Sequence, residues 1–415
     1  MKDLILALSI FISTIFFSLS TIMGQSTEDT SGYHMIAAVY AVICVLTLLI
    51  SGQVNKKRAS GNTVFSILIL TTILFSGFLS GATDNSYYLQ FVVFGIPSAL
   101  VGMYYGRQGS VAYFVKWLDI FFIIIAISIF ISFPQFYASR LVGEMYYSQT
   151  LSYEASFVLL LDLYLLADKN RSQHFVFTNK KLYKGLCIII MPLLFLVIVL
   201  SGGRGGFITL LVGLLVFPFC HKVPSKKIFG YLLGIVILSL ILSPFILKLL
   251  GPSVSNFASE SFGRIFSYIS GGKIDLSQTS GRDEILKKAF VLIDNKPILG
   301  YGLFNYIKAL GTYPHNIFVE WLLQGGLLLF SVGMIITIVF YKKLINLLRS
   351  NTDVVVLFPI FIYPLTELLF SGTWTTNPYL WFSLFFVLNY KSKSIRVKNE
   401  RSIVINNNVP QQVAD

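Results

Sequence analysis

The chain has 415 residues, of which 55% are apolar and only 12% charged, and its mean hydropathy is +0.74. Soluble domains carry roughly a quarter charged residues, so this composition excludes an ordinary soluble protein and points to a bilayer. The net charge of +13 does not signal nucleic acid, because the basic residues sort to one side of the apolar stretches.

A membrane-spanning helix needs about 20 mainly apolar residues. Twelve stretches meet that need, near 4–23, 34–51, 63–80, 87–105, 112–133, 148–167, 182–200, 205–220, 228–250, 316–340, 353–371 and 375–390. In lipid each must be helical, since a spanning segment has to satisfy its own backbone hydrogen bonds. The run at 205–220 is short and the last ends loosely, so the expected number is eleven to thirteen. Lys2 precedes the first run, but that run extends from Leu4 to Met23 with no small-x-small cleavage site after it. A retained first helix is expected rather than a signal peptide.

Counting off the stretches places Lys56, Lys57, Arg58, Arg107, Lys169 to Lys184, Lys222 to Lys227 and Lys342 to Arg349 on one side. The tail with Lys391, Lys393, Arg396, Lys398 and Arg401 falls there too. The opposite connections hold Glu28, Asp29, Asp84 and Glu144, with Arg140 and Arg204 as bases. This positive-inside asymmetry predicts that both termini are cytoplasmic. Cys44, Cys187 and Cys220 lie in apolar runs without CxxC spacing and read as small buried hydrophobes.

The expected organisation is an all-α polytopic membrane protein of about twelve transmembrane helices. Residues 1–250 hold the first nine, 251–315 form one long extracytoplasmic loop, 316–390 hold the last three, and 391–415 are a basic cytoplasmic tail. Within the loop, QTSGRDEILKKAFVLIDNKPILGYG reads as an amphipathic helix and its stop. Ser280 suits an N-cap, and Asp283 and Glu284 suit the positive end of the helix dipole. Ile285, Leu286, Ala289, Leu292 and Ile293 recur at helical spacing, and Arg282 shares their stripe. Pro297, Gly300 and Gly302 end the helix. In TYPHNIFVEWLLQGG, His315 and Asn316 stand where the loop enters the tenth stretch.

Ionisable residues within spans are costly and are functional candidates. At a rise of ~1.5 Å per residue, Glu154 lies roughly 9 Å below the outer end of its stretch. Arg204, Arg282, His315, Glu154, Glu320 and Glu367 then fall in one layer at the outer boundary, whereas Asp119 and Asp162 lie nearer the cytoplasm. Two arginines and a histidine suit an anionic phosphate beside a proton acceptor. Arginine forks onto phosphate oxygens, and histidine can take a proton from an attacking hydroxyl. In SGGRGGF the glycines around Arg204 could let backbone N–H groups approach an anion. No His/Cys cluster and no DxD in the outer loop suggests a metal set, and no cofactor is expected.

SGGRGGF, then GRDEILKKAF, NKPILGYGLFNY and YPHNIFVEWLLQGG, over residues 198–330, resemble the O-antigen polymerase/ligase superfamily of bacterial membrane glycosyltransferases (Wzy and WaaL types). That resemblance implies a GT-C-like fold in the bacterial cytoplasmic membrane, with a metal-independent site facing the periplasm or cell exterior. It implies an undecaprenyl-diphosphate-linked oligosaccharide as donor and a capsule, exopolysaccharide or lipopolysaccharide as product. By the resemblance, Arg204 and Arg282 hold the donor diphosphate and His315 activates an acceptor hydroxyl. Arg264, Asn316, Glu154, Glu320 and Tyr313 join them as substrate-binding candidates, and Tyr301, Phe304 and Tyr306 are candidates to stack on sugars. Beyond membrane lipid, a chain-length regulator and a flippase are the candidate partners. The ligase branch carries His-Asn, nine residues, then G-x-x-G. Here Gly326 fits the first glycine and Leu329 replaces the second, which favours the polymerase branch over the ligase.

A polysaccharide flippase or facilitator-type transporter fits twelve helices and cytoplasmic termini as well. Such facilitators carry GxxxDRxGRR between helices two and three, where this chain reads SGQVNKKRASGN with no acidic residue. The longest loop is also outer rather than central and cytoplasmic. The enzyme is the better expectation, and a non-catalytic envelope scaffold is the remaining alternative.

Overall fold

The structure, a computed structural model, describes residues 61–79, 86–108, 111–141, 148–167, 180–221, 282–350 and 352–390, with isolated positions at 6, 10, 11 and 42 and between 230 and 241. Apart from those positions, the stretches near 4–23, 34–51 and 228–250 lie outside the described residues. So do Arg264 and the rest of 251–281, Cys44, and the basic tail.

Among the described residues the regular structure is helical, with no strand. The helices are α1 (Gly61–Leu79), α2 (Ser86–Gln108, with a π-helical turn at Phe91–Gly95), α3 (Ala112–Leu141), α4 (Ser148–Ala167), α5 (Lys180–Ser201) and α6 (Arg204–His221). They continue with α7 (Arg282–Asn295), α8 (Tyr306–Leu310), α9 (Ile317–Ser350), α10 (Thr352–Val355), α11 (Phe358–Phe370) and α12 (Pro378–Asn389). Five of these, α1, α2, α4, α5 and α9, are long and apolar enough to cross a membrane. Trp117–Phe133, Arg204–Phe219, α11 and α12 are shorter apolar helices. The chain is an all-α integral membrane protein.

The centre is α4, whose residues 151–165 are all buried. A helix buried on every face has to be covered on all sides, and α3, α5, α6 and α11 pack around it. Small residues set how close they come. A Cβ on Gly206 would collide with the Ser152 carbonyl, and one on Gly213 with the Leu160 side chain. Tyr164 Oη donates to Gly213 O (3.3 Å) along the same contact. The closest packing elsewhere joins α2 to α12 through Gly102 and Gly106, four residues apart. Their missing Cβ atoms make room for the carbonyls of Phe382 and Phe386.

Polar side chains fix the register of α1 against the end of α12. Thr63 Oγ1 donates to Asn389 Oδ1 (3.0 Å), and Asn389 Nδ2 donates to Ser66 Oγ (2.9 Å) and to Phe385 O (3.0 Å). Interhelical bonds of this kind are worth on the order of 0.6 kcal/mol each in a bilayer, so they specify position more than they stabilise. Cys187 is fully buried, in line with its apolar surroundings in the sequence.

The helix predicted from QTSGRDEILKKAF is α7, and it stops at Asn295 before Pro297. Its apolar stripe is real. Ala289 is fully buried, and Ile285, Leu292 and Ile293 pack with Tyr306, Leu310 and Leu323, while Lys287, Lys288 and Asp294 are exposed.

The strip after α7 is docked into a gap in a later helix. Helix α9 breaks at Gly325 (φ −137°, ψ 19°) and Gly326 (φ 58°, ψ −154°). A break inside a span leaves backbone groups whose exposure to lipid would cost several kcal/mol each. Residues 297–302 satisfy them. Tyr301 N and Gly302 N donate to Leu323 O and Gln324 O, both at 2.8 Å. Leu327 N donates to Pro297 O (2.8 Å) and Leu328 N to Ile298 O (3.4 Å). Only glycine fits at the two tightest points. A Cβ on Gly300 would sit 2.6 Å from Leu323 O, and one on Gly326 would collide with the Ile298 carbonyl.

Candidate functional site

The first turns of α4 organise one end of the bundle. Arg204 opens α6 after a turn in which Gly202 has φ 67°. Ser152 Oγ donates to Gly203 O (2.8 Å), and the Tyr153 hydroxyl lies where a Cβ of Gly205 would be. Arg282, the first residue of α7, donates from Nη2 to Gln149 Oε1 one turn earlier on α4. The Arg282 side chain and the backbone on either side of Arg204 are therefore held against the same turn of α4, in which four residues rise only ~6 Å. Gly205 and Gly206 also let α6 close onto Ser152 and Tyr153, a packing task that the sequence does not announce.

His315 joins this cluster from the start of α9. It adopts φ 57°, one of two non-glycine residues described with positive φ. Such a conformation costs about 1–3 kcal/mol for a non-glycine residue and persists only where the surroundings impose it. Its ring lies 4.4 Å from that of Tyr313, which in turn meets Tyr87 edge-on at 6.1 Å. His315 Nδ1 is buried with no hydrogen-bond partner. Burial first, and the Arg282 charge second, lower the imidazole pKa from 6.5 to about 4. The ring is thus neutral, with its proton-accepting form available, throughout the physiological range. Burial is also the main cause that raises the Tyr313 hydroxyl to about 12, with opposing contributions from nearby charges that include Glu367 and Arg282.

The folded pKa of His315 lies below that of a free histidine, so the unfolded chain takes up the proton first as pH falls. Stability associated with the neutral ring is therefore lost between about pH 6.5 and 4. A titration of 13C-histidine-labelled protein followed by NMR is expected to show a His315 midpoint near 4. Arg282→Gln removes the second cause and is expected to move that midpoint upward. A midpoint at the ordinary 6.5, unmoved by Arg282→Gln, would contradict the described burial.

The other sequence candidates sit close by in different roles. Asn316 caps α9, its Oδ1 accepting from Phe318 N (3.0 Å) and Val319 N (3.2 Å), while Nδ2 donates to Leu369 O (3.3 Å). Both ends of its amide are engaged within the protein. Glu320 is buried, and its carboxylate accepts from Tyr306 Oη (2.8 Å), Gln324 Nε2 (3.1 Å), Thr373 Oγ1 and Trp374 N (3.4 Å). It ties α8 and α9 to the turn before α12. Phe304 and Tyr306 are core residues, each 1% exposed, while Tyr301 is half-buried with Lys296 Nζ 4.6 Å from its ring centre. Glu154 is buried on α4 next to Tyr153. Glu367, near the end of α11, accepts from Asn377 Nδ2 (2.7 Å). Thr209 on α6 and Thr366 on α11 share a hydrogen bond of 2.8 Å, which brings Glu367 to the same end of the bundle as Arg204.

The N-termini of α4, α6, α7 and α9 lie at this end, and each contributes partial positive charge, although the first N–H groups of α9 are already taken up by Asn316. With two arginines added, the arrangement can hold an anion, and His315 can accept a proton beside it. Sequence reasoning missed Gln149 and Tyr153. Nothing in the run SQTLSYEAS distinguishes them until the fold sets them against Arg282 and Gly205.

These helices define the class, an all-α integral membrane protein, with an arginine- and histidine-bearing candidate site where helix ends converge. Residues 189–334 match the O-antigen ligase family, which supports the O-antigen polymerase/ligase superfamily and a membrane function of that ligase or polymerase type. The matched segment takes in Arg204, Arg282, His315, the docked 297–302 strip and the break in α9, whereas Gln149, Tyr153, Glu154 and Glu367 lie outside it. No curated protein and no solved structure matches the chain.

Proposed function

We propose that the protein is a polysaccharide polymerase of the O-antigen polymerase/ligase type. It spans the bacterial cytoplasmic membrane about twelve times with both termini cytoplasmic, and it works at the outer face. Its donor is a glycan on undecaprenyl diphosphate, and its acceptor is a hydroxyl of a lipid-linked repeat unit. The observation that carries this reading is the convergence of Arg282 and His315 with the Arg204 turn around the first turns of α4.

The groups present supply the chemistry. Arg204 and Arg282 neutralise the donor diphosphate with charge-assisted hydrogen bonds. The acceptor oxygen attacks the anomeric carbon and its proton passes to His315. The bond from that carbon to the diphosphate breaks, and undecaprenyl diphosphate leaves with the electron pair. A bound diphosphate also offsets the Arg282 charge that depresses His315, so the donor itself makes the base stronger. Fixed donors aimed at a leaving group are often the largest catalytic contribution.

A ligase, which would transfer the glycan to a different acceptor, is favoured by the family that matches. The polymerase is favoured by Leu329, which stands where the ligase branch carries a second glycine. Purified protein incubated with a lipid-diphosphate-linked repeat unit is expected to yield longer glycans and free undecaprenyl diphosphate. Arg204→Ala and Arg282→Ala are each expected to lower the rate about 10²- to 10³-fold. Transfer only to a non-repeat acceptor would establish the ligase instead. Passage of lipid-linked glycan across liposomes with no new bond would replace both with a transporter.

A further inference from the structure

We infer that Tyr153 is a further donor-binding residue, its hydroxyl donating a hydrogen bond to the diphosphate that Arg204 and Arg282 hold. The inference rests on the reading above and adds a residue outside the segment that matches the family.

Tyr153 is 1% exposed, and its hydroxyl is buried without a hydrogen-bond partner. Leaving such a group unpaired costs about 1–3 kcal/mol, so phenylalanine would be the more stable choice if packing were the only task. The ring does pack, meeting Tyr363 edge-on at 6.3 Å. That contact needs no hydroxyl.

The place of the hydroxyl is what gives it a use. It lies against Gly205, the residue after Arg204, at the first turn of α6. That turn carries N–H groups with no partner inside the helix. One turn back on α4, Gln149 holds Arg282. The charges of Arg282 and Glu367 both reach the Tyr153 hydroxyl, and Glu367 is itself engaged by Asn377. An anion seated between the two arginines would therefore meet the hydroxyl as a third donor. Among the described residues, His315 Nδ1 is another buried atom at this end of the bundle with no hydrogen-bond partner. Two orphaned polar atoms, both within reach of the Arg282 charge, mark a site built around a polar ligand.

The test is Tyr153→Phe. Its melting temperature in detergent is expected to equal or exceed that of the wild type, since only an unpaired hydroxyl is removed. Affinity for undecaprenyl diphosphate is expected to fall about 10- to 100-fold, the range for hydrogen bonds to charged groups. The KM for the lipid-linked donor should rise in step while that for the acceptor stays unchanged. Tyr153→Trp, which restores a donor at a shifted position, is expected to recover less than half of the lost affinity. If the wild type binds undecaprenyl diphosphate and Tyr153→Phe binds it equally well, the role of Tyr153 is packing and the inference falls. A drop in melting temperature with unchanged affinity overturns it in the same way. If the wild type neither binds undecaprenyl diphosphate nor extends glycan, the polymerase reading fails first.

Discussion

Replacing His315 by asparagine is expected to leave the helices and the docked loop intact while lowering glycan transfer about 10²- to 10⁴-fold. The backbone dictates the choice of asparagine. His315 sits at φ 57°, a conformation that asparagine adopts more readily than most residues. Local strain is therefore unchanged or relieved, and the melting temperature should not fall. What is lost is the ring that lies beside Tyr313 and feels Arg282. An amide cannot accept a proton at neutral pH, so the loss measures the base. Transfer should be assayed at equal levels of folded protein, with binding of undecaprenyl diphosphate measured in parallel. Preserved binding with lost transfer assigns His315 to the chemical step. Retention of activity within about tenfold would move the proton-accepting role to another group, and Glu367 would be the next candidate.

Much of this protein is legible from local pattern. The apolar runs mark helices wherever residues are described, because in lipid an apolar run has no alternative to satisfying its own backbone. The stripe through Ala289 and the stop at Pro297 are likewise local, and α7 matches them closely. The charges at the outer boundary read as one layer, and in the fold the Arg282 charge acts on the His315 ring.

Pairing between distant segments was not legible. The glycines of NKPILGYG read as the end of one helix, and those of LLQGG as part of a family pattern. In the fold they are two halves of one joint, with Gly300 against Leu323 and Gly326 against Ile298. The glycines beside Arg204 also make room for Ser152 and Tyr153, which nothing local announces. The four-residue spacing of Gly102 and Gly106 was a readable signal for helix contact, but nothing local names α12 as its partner. Asn316 and Glu320 show the same limit. A polar residue near a helix start signals a cap or a site equally well until its partners are known, and here those partners include Leu369 and Thr373.

The joint also carries the largest structural effect expected from a single methyl group. Gly326 combines φ 58° with ψ −154°, a region that essentially only glycine occupies. Alanine there would also drive its Cβ into the Ile298 carbonyl and within 2.5 Å of Pro297 O. Backbone atoms on both sides leave no flexible side chain to give way, so the joint has to open at a cost of about 3 kcal/mol or more. Gly326→Ala is expected to release residues 297–302 from α9, freeing the amides of Tyr301 and Gly302 from their carbonyl partners. Because those residues anchor α7 to α9, Arg282 at the far end of α7 should lose its fixed contact with Gln149. Transfer is then expected to fall at least 10²-fold, as misplacement by about 1 Å can produce. Hydrogen exchange at Tyr301 and Gly302 provides the direct reading, with faster exchange expected in the variant. Gly325→Ala is the internal comparison. Gly325 has an ordinary negative φ of −137°, so alanine there strains no dihedral, although its added Cβ would collide with Leu329 Cβ. Its effect on exchange and transfer should be the smaller of the two. Equal effects, or protected amides in Gly326→Ala, would mean that the break in α9 does not depend on the strip that fills it.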